Sequence, residues 1–385
     1  MKNIYFISES IPYNGYGSFV IFYRHLIRLK RNGYVVHLIV PDYEEFETSE
    51  YFNDIVTQFN IIRVPFNKWW YPPYRCNNRI LRYIRFSLIY QVIKYKILEN
   101  PPNFIVTYFY GNFLNGFSVF LKKIYKCNIG IFLHDDKYLL NTDYNEKLVK
   151  FDQFICVNSS VIWSVSDRLK IPNCKGNYIT LPPIPEGSNT STWIKKDNSP
   201  KKFTIGFSGS IYESYFPVFQ LLAKVLISLD GELHIIAKDI ERTAKHLTTF
   251  KNVKFISAFE YNHNASRYLK DNCTALFCGY PDAINEMPWL KSCFPSKFVE
   301  YTHLQLPIIL SGPNDTSLTD WVMANNWALF LENLDEHTLT EMLVKLKNPD
   351  FWEKTALQSK YVAENEFNAD KIQLLFETSL MENLK

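Results

Sequence analysis

The chain has 385 residues, of which 47% are hydrophobic and 21% charged, so it is too apolar to be disordered and too long for one ordinary core. Its net charge of +3 excludes a surface built throughout for nucleic acid, although a local basic patch remains compatible with it. Aromatic residues at 16% suit stacking on bases and sugars, and they equally suit a coding sequence rich in A and T.

In chain order, Ile4–Ile7 reads as a strand that passes through a glycine-containing loop into a helix over Phe19–Arg31, stopped by Gly33. Val35–Val40, Ile61–Val64, Phe104–Thr107, Ile129–Leu133 and Gln153–Val157 read as further strands separated by helical segments. They are continuously apolar, as strands buried on both faces must be, so the first half predicts a parallel sheet with helices on its faces. The rhythm breaks at Leu181-Pro182-Pro183-Ile184-Pro185, which proline stiffens, and at the polar run through Gly187 and Ser188 to Lys202, which has too little apolar surface to pack. It restarts with strands at Phe203–Ser208, Glu232–Ala237, Val253–Ile256, Ala275–Phe277 and Pro307–Leu310, and a helix at Pro217–Leu229. Helical spacing of Ile372, Leu375 and Leu380 marks a last helix over Ala369–Glu382. The expected organisation is a Rossmann-like domain over residues 1–184, a linker over 185–202, a second Rossmann-like domain over 203–365, and a terminal helical segment over 366–385.

Seven cysteines (Cys76, Cys127, Cys156, Cys174, Cys273, Cys278, Cys293) are odd in number and scattered, without a Cys-x-x-Cys pair, which speaks against a disulfide framework and a zinc ribbon. Met1-Lys2-Asn3 is followed by an apolar run of only four residues, shorter than a secretory signal needs. No run approaches the roughly 18 apolar residues of a membrane span. The expectation is a cytoplasmic protein.

Four groups of residues could carry chemistry. Gly206-Phe207-Ser208-Gly209-Ser210 turns from a strand toward a helix, where a glycine lets a ligand approach the backbone; a plain turn is the alternative, and G-x-G-x-x-G is absent. Pro295-Ser296 suits a helix start, with Ser as the cap and Pro tolerated in the first turn. Lys297 then stands in the first turn, able to meet a diphosphate, and Glu300 lies three residues on, on the same face, able to accept the hydroxyls of a ribose. The plain alternative is an ordinary surface Lys–Glu pair. His134-Asp135-Asp136 follows an apolar strand and so lies at the edge of the sheet where α/β proteins bind ligands; otherwise it is a loop histidine with solvated acids. One histidine beside two aspartates is a thin ligand set, so no metal site is expected. From Arg63 to Lys96 there is no acid, Arg75, Arg79 and Arg82 fall on one helical face, and Trp69 and Trp70 lie just before them. Such a patch suits anionic lipid or a lipid-diphosphate acceptor, and its alternative is a solvated helix face. No base-reading module accompanies it, so no nucleic acid is expected.

Pro295-Ser296-Lys297-Phe298-Val299-Glu300-Tyr301 with Leu306-Pro307-Ile308-Ile309 resembles the donor motif of GT-B glycosyltransferases related to family 4. Gly206–Ser210 looks like their second-domain glycine loop, Leu133-His134-Asp135 like their His-Asp, and Phe151–Ser159 like their Asp-strand-Ser segment. Asn14-Gly15-Tyr16-Gly17-Ser18 occupies the place of their N-terminal glycine-rich loop. The resemblance spans nearly the whole chain, with 294–309 its one specific motif. It implies two Rossmann-like domains facing across a cleft, with the terminal helix crossing back to the first. It further implies a retaining, metal-independent transfer from a nucleoside-diphosphate sugar to an acceptor hydroxyl, without a cofactor.

By that resemblance His134, Asp135 and Lys297 are catalytic. Gly209, Ser210, Lys238, Pro295, Ser296, Lys297 and Glu300 bind the donor, and Gly15, Tyr16 and Gly17 form a loop on the acceptor side. Trp69, Trp70, Arg75, Arg79 and Arg82 would meet a glycan or lipid-linked acceptor or the inner face of the cell membrane, as in surface polysaccharide or glycolipid assembly. Two features depart from the family. Ser292 stands where many relatives carry a glutamate eight residues before Glu300, with Glu286 or Asp282 as substitutes, and the usual Arg and Lys after the glycine loop are missing from Ile211–Tyr215. Two alternatives therefore stay open: a sugar-nucleotide 2-epimerase of the same fold, and a non-catalytic sugar-nucleotide or glycan-binding homologue. A nicotinamide oxidoreductase is disfavoured because neither half carries the dinucleotide spacing.

Overall fold

The computed structural model describes residues 2–9, 11–15, 17–42, 51–65, 78–109, 113–140, 146–186, 202–238 and 240–384. They form two compact units, Met1–Pro182 with Ile372–Lys385, and Pro183–Lys371.

Among the described residues, the first unit carries strands β1 (Asn3–Ile7), β2 (Val35–Pro41), β3 (Asn60–Val64), β4 (Phe104–Tyr108), β5 (Asn128–Leu133), β6 (Val161–Ser164) and β7 (Tyr178–Thr180). All pair in parallel, in the order β3-β2-β1-β4-β5-β6-β7. The order reverses direction between β1 and β4, which leaves a crevice at the carboxyl ends of those strands. Its helices are α1 (Ser18–Arg31), α2 (Tyr51–Gln58), α3 (Arg79–Glu99), α4 (Phe113–Tyr125), α5 (Lys137–Leu140) and α6 (Glu146–Val157).

The second unit carries β8 (Phe203–Ser208), β9 (Gly231–Ala237), β10 (Val253–Ser257), β11 (Ala275–Gly279), β12 (Ile308–Ser311) and β13 (Phe330–Leu331). They form a parallel sheet of order β10-β9-β8-β11-β12-β13, which reverses between β8 and β11. Around it lie α7 (Phe216–Ser228), α8 (Ile240–Lys245), α9 (Asn262–Asn272), α10 (Ser296–Thr302), α11 (Ser317–Ala324), α12 (Glu336–Leu346) and α13 (Pro349–Asn365). Both units are doubly wound α/β, the Rossmann-like architecture expected for each half.

The last helix, α14 (Ala369–Met381), supplies Phe376 to the core of the first unit, where its ring lies 4.7 Å from Trp163 and 5.3 Å from Phe132. The Trp163 indole donates to Ser379 Oγ at 2.7 Å, and the His25 ring is 2.8 Å from Gln373 Oε1. Gly130 on β5 makes room for the same indole, because a Cβ there would overlap the Trp163 ring.

One expected strand is a helix. Gln153–Val157 closes α6, and the strand of this region is β6, eight residues downstream of Gln153 at its start. Asp152, Ile155 and Cys156 are the buried residues, and that i, i+3, i+4 spacing is helical. The likeness of Phe151–Ser159 to an Asp-strand-Ser segment fails for the same reason. Cys156 at the end of α6 is bonded to Cys174, a disulfide that no local motif marks, since the pair is 18 residues apart. Among the described residues no helix is long and apolar enough to cross a membrane.

Candidate functional site

In the second unit the candidate site grows from the point where the strand order reverses. β8 ends at Ser208, and Gly209 follows with φ 140°, a conformation that favours glycine. A Cβ at Gly209 would overlap Cε and Nζ of Lys297, so the bare backbone is what lets this side chain cross it. The Lys297 ammonium lies 4.6 Å from the centroid of the Phe207 ring. Burial lowers its pKa below that of an ordinary lysine, and neighbouring Cys278 pulls weakly the other way. The Cys278 thiol is itself pushed up to about 12 by burial, so it stays protonated.

Lys297 is held by its helix. Phe298, the next residue of α10, is fully buried against Trp321 at 4.9 Å, Trp327 at 5.2 Å and Phe367 at 5.6 Å between ring centroids. Trp327 is fixed in turn by a hydrogen bond from its indole to Ile308 O at 3.0 Å. Tyr301, one turn along, reaches back to the end of β8, where its hydroxyl accepts from Ser208 N at 2.7 Å and donates to Ser208 O at 3.3 Å. Burial holds its phenol well above the ordinary range, so it stays protonated.

The helix begins differently from the sequence expectation. Pro295 is the N-cap and Ser296 the first helical residue, with no side-chain cap bond, because the order is Pro-Ser rather than Ser-Pro. Glu300 is half-buried on α10. Ser210 and Lys238 are exposed just past the ends of β8 and the adjoining β9. Ser292 is buried, its hydroxyl 3.5 Å from Trp289 O, while Asp282 and Glu286 are exposed on the segment after β11. Gly209 and Lys297 are thus brought into contact. The signal that could have found Tyr301 is its place inside the motif; nothing near Ser208 announces its partner.

In the first unit, His134 and Asp135 follow β5. Asp135 Oδ2 accepts from Tyr108 Oη at 2.5 Å and from Ser18 Oγ at 3.0 Å, which ties the end of β4 to the start of α1. Gly17, with φ 72°, is the N-cap that turns the chain into that helix. Glu9 accepts from the Phe113 and Leu114 amides at 2.7 and 3.1 Å and so caps α4. His134 lies edge-on to Phe22, and its buried Nε2 has no hydrogen-bond partner among the described residues. Burial lowers its pKa and so favours the neutral ring, against the opposing pull of Asp135. Asp136 is structural, accepting from the Tyr138 and Leu139 amides at 3.2 Å each at the start of α5. Lys137 pairs with buried Asp152 at 2.8 Å beneath the Phe109 ring.

Gly15 precedes Gly17 in the same loop; Tyr16, Trp69, Trp70 and Arg75 lie outside the described residues. Arg79 is exposed at the start of α3. Arg82, three residues on, is half-buried, with its guanidinium 4.1 Å from the centroid of the Phe151 ring. Among the described residues no three His, Cys, Asp or Glu side chains group to hold a metal ion.

No family model matches the chain, and no curated protein does. Solved structures match over nearly its whole length. A sucrose-phosphate synthase from Thermosynechococcus elongatus aligns with a TM-score of 0.70 at 12% identity, over 99% of each chain. Anabaena HepE in complex with UDP-glucose aligns at 0.68 and 11% identity, over 99% of this chain and all of that one. A glycosyltransferase from Rickettsia africae aligns at 0.72 and 9% identity, over all of this chain and 99% of that one. At such identities the likeness is one of fold, and the fold is GT-B.

Proposed function

We propose that the chain is a glycosyltransferase that moves a sugar from a nucleoside-diphosphate sugar to an acceptor hydroxyl. The observation that carries this reading is the passage of Lys297 across Gly209 at the reversal point of the second sheet, with Glu300 next on the same helix. A partly desolvated ammonium beside bare backbone suits a leaving diphosphate, whose negative charge compensates the hydration that burial has removed. Because Phe298 and Tyr301 fix the helix and the loop before any ligand binds, little reorganisation remains at the moment of transfer. Glu300 accepts the ribose hydroxyls, Ser210 and Lys238 border the donor, and uridine is the base to test first, since HepE of the same fold binds UDP-glucose.

In the first unit, neutral His134 offers to the acceptor an Nε2 that has no hydrogen-bond partner among the described residues, and Asp135 fixes the strand end that carries it. Attack on the face from which the diphosphate departs retains configuration and needs neither a protein nucleophile nor a metal or cofactor. The acceptor is a glycan or lipid-linked hydroxyl, and the setting is polysaccharide or glycolipid assembly at the inner face of the cell membrane.

The test is a thermal-shift panel of UDP, GDP, ADP, CDP and dTDP on wild type and Glu300→Ala. A nucleotide at 100 times its Kd stabilises by about 2.7 kcal/mol. One nucleotide should raise the melting temperature of wild type, and Glu300→Ala should lose that rise. A folded wild type that responds to none of the five overturns the reading.

A further inference from the structure

Strand β7 is an edge of the first sheet and its least buried strand. It has three residues, none of them fully buried, and pairs with β6 alone among the described strands. Residues 165–177, which lead to it from β6, form neither helix nor strand. Their first half is pinned by buried Leu169 and Ile171, and by the Ser164 hydroxyl, which lies 2.8 Å from Ser166 O and 2.6 Å from Leu169 O. In the second half, 172–177, every residue is exposed or half-buried. There Gln153 donates to Pro172 O at 2.7 Å, and Asn177 donates to Ser160 O at 3.2 Å on the exposed surface. Such solvated hydrogen bonds open readily. The covalent tie is the disulfide from Cys174 to Cys156, at the buried end of α6. Gly176 leaves it room, because a Cβ there would overlap Ile162 and lie 3.3 Å from Cys156 Sγ. Past β7 come Leu181 and Pro182, the last residues of the first unit before the chain enters the second.

We propose that Cys156–Cys174 is a redox-controlled anchor for this edge: oxidised, it holds 172–180 on the sheet, and reduced, it releases them while the rest of the first unit stays folded. Access decides how the bond is broken. Cys174 is half-buried between exposed Asn173 and Lys175, whereas Cys156 is buried, so a reductant reaches Cys174 Sγ first. One thiolate of a dithiol attacks that sulfur, the S–S bond breaks, and the electron pair leaves on Cys156 Sγ, which then takes up a proton. The second thiolate of the reductant displaces Cys174 Sγ, so the reductant ends as a cyclic disulfide and the protein as two thiols. Cys127, the other described cysteine of the first unit, is buried and stays out of the exchange. β6 keeps its pairing with β5, and Trp163 its place against Phe376, without the bond, which confines the release to the edge. This anchor requires nothing of the proposed transfer.

The experiment is hydrogen exchange, read by mass spectrometry, on the full chain held in oxidised or in reduced dithiothreitol, without any nucleotide. Alkylation of the denatured chain should find Cys156 and Cys174 blocked in the first sample and labelled in the second. Amides of 172–181 should exchange roughly tenfold or more faster after reduction, while those of β4 and β5 keep their rates. Far-UV circular dichroism should stay nearly the same, and the melting temperature should fall, because the bond also constrains the unfolded chain. Cys174→Ser should exchange like reduced wild type and give no response to dithiothreitol. Labelling of both cysteines in oxidised dithiothreitol, equal exchange in the two wild-type samples, or a Cys174→Ser variant that exchanges like oxidised wild type would each overturn the proposal. So would a reduction that unfolds the whole first unit, since the bond would then be a requirement of the fold rather than an anchor of its edge.

Discussion

The hydroxyl of Tyr301 closes a ring with both backbone groups of Ser208, accepting from its N–H at 2.7 Å and donating to its carbonyl at 3.3 Å. The residue after Ser208 is Gly209, which Lys297 crosses, and Lys297 belongs to the same helix as Tyr301. One short helix therefore holds the loop with one side chain and lies across it with another.

Removing that hydroxyl with Tyr301→Phe leaves two backbone groups at the end of β8 without a partner. The expected cost is about 1–3 kcal/mol, read as a lower urea midpoint at unchanged slope. Nucleotide binding should weaken as well, because the Gly209 loop loses its anchor. An unchanged midpoint would mean that water replaces the phenol there.

Gly209→Ala forces a side chain into φ 140° and into the path of Lys297. The strained backbone alone costs on the order of 1–3 kcal/mol. The variant should stay folded by circular dichroism yet lose the nucleotide-induced shift in melting temperature. A wild-type shift from Gly209→Ala would show that a ligand does not need Lys297 in this position.

Burial lowers the pKa of Lys297 in the ligand-free protein, and a bound diphosphate raises it again by supplying countercharge. Binding therefore takes up a proton in the window between the two values. Affinity should fall as pH rises through that window and level off below it. Calorimetry in two buffers of different ionisation enthalpy reads the proton directly, and Lys297→Met should bind weakly with no such pH dependence. Proton uptake that persists in Lys297→Met would place the titrating group elsewhere.

His25 is fully buried beside Gln373 of α14, and burial lowers its pKa from 6.5 to about 3. The unfolded chain thus binds a proton that the folded chain refuses between those values, so stability falls as pH drops below 6.5. The loss grows by about 1.4 kcal/mol per pH unit, or about 2 kcal/mol at pH 5 as an order of magnitude. Urea titrations at pH 7 and pH 5 measure it, and hydrogen exchange should locate early opening in α14. His25→Gln should lower stability at pH 7 but flatten this slope; a slope equal to that of wild type would assign the acid sensitivity to other groups.

The amino-acid sequence by itself determined the elements whose pattern is local. Strands such as Ile4–Ile7 and Phe203–Ser208 are short apolar runs that only a sheet buried on both faces can use, and Gly33 and the proline cluster at 181–185 end what precedes them. A local pattern also singled out Lys297 and Glu300, because a helix repeats on a scale that neighbouring residues display. It misjudged Gln153–Val157, where five residues were too few to separate a strand from the last turn of α6. Only the tertiary structure decided that Tyr301 meets Ser208 across 93 residues, that Lys297 crosses Gly209, and that Arg82 lies over the Phe151 ring. Those contacts depend on the strand order and on which helix packs beside which strand end. Burial of the whole sheet sets that order, and no short window of the chain contains it.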